Sequence, residues 1–98
     1  MNVQGLSLRA AGVGRFTLLA SNHGGREAIE VFTIRVSRAA GDEAPAMQWI
    51  GCLPLPGGMA ANSITTFPDG TVLATVLTLP GRTMADYVLG RDSGVVLQ

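Results

Sequence analysis

Strand-length runs recur along this chain about every ten residues, each closed by a turn built on glycine or proline, and that rhythm leaves room for little but an all-β fold. Seven runs are expected to be strands: residues 5–9, 15–21, 28–36, 46–53, 62–67, 71–78 and 94–98. Three turns between them are legible from residues that accept positive φ: Gly12-Val13-Gly14, Asn22-His23-Gly24-Gly25 and Pro68-Asp69-Gly70. In residues 28–36 both alternating sets are partly apolar, Ile29, Val31 and Thr33 on one side and Glu30, Phe32 and Ile34 on the other. That is the pattern of a strand covered on both faces. Residues 38–45 and 80–93 read as loops, with a short helical turn allowed at 83–89.

The chain also repeats itself. Laying Gly5-Leu6-Ser7-Leu8 over Ser63-Ile64-Thr65-Thr66 brings Arg15-Phe16-Thr17-Leu18-Leu19 over Thr71-Val72-Leu73-Ala74-Thr75, and residues 21–25 over 77–81. A period of about 55 residues carrying about four strands is the pattern of β-propeller blades. The 98 residues then divide into a first blade, about 1–56, and an incomplete second, about 57–98. Two blades close no ring, since propellers run from about four to eight. The expected architecture is therefore about two four-stranded antiparallel blades per chain, completed to a six-bladed propeller by homo-oligomerisation, with three chains closing the ring.

Composition agrees with a shared surface and excludes several classes. Hydrophobic residues make up 47% of the chain and charged residues 14%, against about 25% charged in average proteins, so much apolar surface is expected to meet another copy. Net charge is zero and all seven basic residues are arginine, which gives none of the basic stripe that nucleic-acid binding needs. No apolar run reaches the roughly 18 residues of a spanning helix, and no charged segment leads into an apolar one near Met1. A soluble, cytoplasmic protein without a signal peptide is expected. Cys52, the single cysteine, reads as a small buried hydrophobe on a strand.

Four stretches, QGLSLR, LLASNHGGREAIEVF, WIGCLPLPGGMAANSITTFPDG and the closing SGVV, resemble the paraoxonase and arylesterase branch of the six-bladed, calcium-dependent β-propellers, a group shared with gluconolactonases and strictosidine-synthase-like proteins. The resemblance covers about a third of such a propeller. It implies a hydrolase of small-molecule esters or lactones, with possible phosphotriester hydrolysis, and calcium as cofactor. Asn62 matches an asparagine that binds the catalytic calcium, and His23 a histidine that lies near it and positions the base. The base itself falls on Gln4, an amide that takes up no proton near neutral pH. The family completes its calcium site with carboxylates and asparagines from blades outside this chain, and calcium prefers six to eight oxygens, several of them charged.

The repeat places Gln4 and Asn62 at equivalent positions, so three chains would alternate them around a channel mouth with His23 nearby. Neutral amides there could order water, donate to a carbonyl or phosphoryl oxygen, or bind a cation weakly. Without the resemblance, His23 is a turn histidine and Asn62 a strand-start cap. Ser7, Ser21 and Ser63 lack the G-x-S-x-G elbow of a serine nucleophile, and Phe32 and Trp49 read as core between blades. Two rival readings stand beside the hydrolase: a catalytically inactive structural or binding propeller, and a truncated fragment of a longer lactonase.

Overall fold

The computed structural model describes residues 2–37, 44–76 and 95–98. All the regular structure among them is strand: β1 (Val3–Gly12), β2 (Arg15–Asn22), β3 (Ala28–Arg35), β4 (Ala46–Pro54), β5 (Ala61–Thr66), β6 (Val72–Val76) and β7 (Val95–Leu97). Each of the seven expected runs overlaps one of these. Most of the two expected loops, the helical turn at 83–89 and the repeat segment 77–81 lie outside the described residues. No helix among the described residues is long and apolar enough to cross a membrane.

The strands form two antiparallel sheets, one in the order β1-β2-β3-β4 and one in the order β5-β6-β7. The second holds three strands among the described residues, one for each of the three runs expected in the incomplete second unit, and neither sheet closes on itself. Glycine makes the two tight hairpins possible: Gly14 (φ 66°) turns β1 into β2 and Gly70 (φ 93°) turns β5 into β6, a backbone region that costs other residues energy.

One face of the first sheet packs on the second. Leu19 and Ile29 meet Ala61, Ile64 and Ala74, with Val31, Leu55 and Val72 around them. On the opposite face of the first sheet, no second sheet lies among the described residues: Leu6 is 63% exposed, Leu8 60% and Trp49 51%. Among the described residues of one chain, β3 is covered by a second sheet on its Ile29 and Val31 side, and Trp49 is exposed while its cross-strand neighbour Phe32 is buried. Cys52 lies on β4 as expected, but half-buried.

The sheets are structural repeats. In the first, Leu6, Ser7 and Leu8 pair with Ala20, Leu19 and Leu18, and the register shifts between Val3 and Leu6. In the second, Ile64, Thr65 and Thr66 pair with Ala74, Leu73 and Val72, and the shift falls at the corresponding place, between Ala61 and Ile64. Such a bulge turns a backbone N–H out of the ladder, and that group needs a new acceptor. A hydroxyl from the second strand supplies it both times: Gly5 N–H donates to Ser21 Oγ (2.7 Å), and Ser63 N–H to Thr75 Oγ1 (3.0 Å). Gln4 and Asn62 are thus equivalent, as the sequence repeat has it, but Ser21 corresponds to Thr75 and not to Leu77. A slip of two leaves every side chain on the same face, so alternation alone does not detect it.

β1 lies along β5 at the seam. Ser21 Oγ donates onward to the Asn62 carbonyl (3.1 Å), Ser7 Oγ and Thr66 Oγ1 share a hydrogen bond (3.4 Å), and the Arg9 guanidinium donates to the Phe67 carbonyl. The approach is so close that a Cβ on Gly5 would stand 2.2 Å from the Asn62 carbonyl oxygen.

Candidate functional site

The seam fixes where the three sequence-derived site residues stand. Gln4 precedes Gly5, whose N–H and the Asn62 carbonyl both bond to the Ser21 hydroxyl. Two residues further on, His23 N–H donates to the Asn2 carbonyl (2.8 Å), which ties the β2–β3 turn to the start of β1. Gln4, Asn62 and His23 therefore share one end of the two sheets. Gln4 and Asn62 are both exposed.

Among the described residues the imidazole of His23 meets a side chain and not backbone. Its Nδ1 lies 2.6 Å from Glu27 Oε2, four residues along the same turn. With Glu27 ionised, Nδ1 is the donor and the neutral ring carries its lone pair on Nε2. A carboxylate that orients an imidazole in this way sets up a base for a proton from water. Glu27 is the residue the sequence reading missed, and the signal that finds it is its spacing of four from His23 across a turn closed by Gly24 and Gly25.

Beside this pair a second carboxylate is locked away. Glu30, alone as a charge in the run Ala28-Ile29-Glu30-Val31-Phe32, is 2% exposed. Both its oxygens are fully occupied. Oε1 accepts from Arg26 Nη2 (2.6 Å) and Trp49 Nε1 (2.9 Å), and Oε2 from Arg26 Nε and Asn22 Nδ2 (2.9 Å each). A buried charge is tolerated only when paired and hydrogen-bonded in this way. The Arg26 fork is the main cause that holds the Glu30 carboxyl down to about 2, with Asn22 and Trp49 assisting against burial. Asn22 extends the network, its Oδ1 accepting from Gly24 N–H (2.8 Å) and Asn2 N–H (3.1 Å). The Arg26 guanidinium also lies 5.8 Å from the centre of the Trp49 ring.

Glu30 thus acts as a strut: it holds the turn that carries His23, and with no lone pair left over it has no proton to exchange near neutral pH. An open hollow of about 510 Å³ lies against Arg26, Phe32 and Trp49, and neither Gln4, His23 nor Asn62 lines it.

The donors that the described residues of one chain bring together do not make up a calcium shell. Gln4 and Asn62 offer one neutral oxygen each, Glu27 is engaged by His23 and Glu30 by four N–H groups, and no cluster of three or more acidic, histidine or cysteine side chains stands together among the described residues. No family model matches the chain, and neither a curated protein nor a solved structure does.

Proposed function

We propose that the chain is a two-blade unit of a self-assembling cytoplasmic β-propeller, three copies closing six blades, and that the channel mouth hydrolyses lactones or aryl esters, with phosphotriesters as weaker substrates. The observation that carries this reading is the convergence of Gln4, Asn62 and the His23–Glu27 pair at one end of two repeated sheets. The paraoxonase-like stretches of the sequence point to the same chemistry.

In this reading His23 accepts a proton from water through Nε2 while Glu27 holds the ring, and the water oxygen attacks the ester carbonyl. The amide N–H groups of Gln4 and Asn62, contributed by several chains, donate to the developing oxyanion. When the intermediate collapses, His23 returns its proton to the departing oxygen. No step runs through calcium.

A catalytically inactive binding ring is the second reading. Gln4 favours it, because an amide stands where the resemblance has the base. His23→Ala separates the two. The hydrolase reading expects kcat/KM for an aryl ester to fall about a hundredfold, Glu27→Gln to fall less, and the mass in solution to stay as in the parent. Unchanged hydrolysis with unchanged mass leaves the inactive ring.

A further inference from the structure

The two sheets carry the same bulge, the same hydroxyl that satisfies it and the same strand pairing, yet within one chain each uses a different face. The first sheet presents its Ser7, Leu19 and Ser21 side to the second, and the second receives it on its Ile64, Ala74 and Val76 side. Two faces are left over among the described residues. On the first sheet it is the side of Leu6, Leu8 and Leu18, the counterpart of the side that is covered in the second. On the second sheet it is the side of Ser63, Thr65, Leu73 and Thr75, the counterpart of the side that is covered in the first.

We propose that these leftover faces are one interface: the outer face of the four-stranded sheet docks on the outer face of the three-stranded sheet of a second copy, in the register that β1 and β5 adopt within one chain. It rests on the self-assembly half of the reading above and not on its chemistry. The faces match in kind as well as in origin. Leu6, Leu8, Met47 and Trp49 are exposed on one, and monomeric proteins rarely leave apolar patches beyond a few hundred Å² open. Thr65, Leu73 and Thr75 on the other are small or apolar and carry no charge.

The register follows from the contacts already made. Ser7 meets Thr66 at the internal seam, and the equivalents of these two residues are Thr65 and Leu8, so Thr65 of one copy faces Leu8 of the next. Ser21 reaches the Asn62 carbonyl, and the equivalents are Thr75 and Gln4. One difference is built in. Ser63 stands where Gly5, with no Cβ, lets the Asn62 carbonyl come close, so β5 stands further from the β1 of a second copy than from its own. Because the contact joins unlike faces, it propagates from copy to copy until the ring closes.

Cross-linking tests the register directly. In a Cys52→Ser background, Leu8→Cys, Thr65→Cys and the double variant are treated with a short bis-maleimide, and light scattering gives the mass of each beforehand. All three substitutions are at exposed or half-buried positions, and circular dichroism checks that the sheets survive. The expected result is a shift of the double variant to covalent multiples of the 10.2 kDa chain, with both single variants remaining at one chain. Leu8→Cys alone forming covalent dimers would mean that the apolar faces pair with themselves, and single-chain bands in all three together with a single-chain mass would mean no interface; either overturns the proposal. Multimers in the double variant of a protein that hydrolyses no ester would sustain the interface while removing the hydrolase.

Discussion

Gly5→Ala is expected to lower the thermal unfolding midpoint by more than ~10 °C at fixed protein concentration, which corresponds to roughly 3 kcal/mol in a domain of this size. Gly5 sits in an ordinary extended conformation, where alanine by itself would be at least as favourable. The whole cost comes from the neighbour. The new Cβ would meet the Asn62 carbonyl oxygen at 2.2 Å and Ser63 Cα at 3.1 Å, both backbone atoms with no rotamer in which to move aside. β1 and β5 would have to separate, weakening the bridge of the Ser21 hydroxyl and the packing of Leu19 and Ile29 on Ile64. Gly57→Ala is the control, since nothing stands within 4 Å of its Cβ position, and it is expected to stay within about 0.5 kcal/mol of the parent. Equal midpoints for the two variants would show that the strands do not approach as described.

Glu30→Gln is expected to destabilise the protein by about 2–3 kcal/mol at neutral pH and to abolish part of its acid sensitivity. A carboxylate accepts all four N–H donors that surround it, whereas an amide turns two donors of its own toward Arg26, Asn22 or Trp49. The sign of the pH effect follows from a folded-state value near 2 against an ordinary 4.5. Folding favours the ionised form, so the stabilisation is complete above about pH 4.5 and is lost as the pH falls toward 2. Denaturant midpoints from pH 7 to 2.5, followed through the fluorescence of the single tryptophan, read this directly. The parent should weaken through that window and Glu30→Gln should lose the corresponding part of the slope; parallel curves would mean that Glu30 does not carry the acid limb.

The strands were legible because alternation and turn residues are local signals, and Gly14 and Gly70 took the positive φ that their places in the sequence demand. The equivalence of Gln4 and Asn62 was legible for the same reason. Long-range pairing was not. The two-residue slip of β6 is invisible to a pattern of period two, and the strand register together with the Ser63 to Thr75 hydrogen bond resolves it. Glu30 invited a partner by standing charged in an apolar strand, but its donors come from a turn, from the end of β2 and from across the sheet at Trp49, and no single spacing announces all three. What covers Trp49 was not legible, because a sheet face that is apolar in sequence does not state which chain covers it.

The internal seam also bears on how quickly the chain reaches this fold. Strands β1 to β4 each pair with a neighbour in sequence, while the bonds that lock the two sheets join residues 41, 58 and 59 positions apart. Local hairpins close first and distant contacts last, since long loops are slow to close. A first sheet completed early would offer both faces to a partner surface that its own chain and any neighbouring copy can supply in nearly the same shape. Crowded refolding is then expected to become a competition between intramolecular and intermolecular docking, read as a refolding rate that depends on protein concentration.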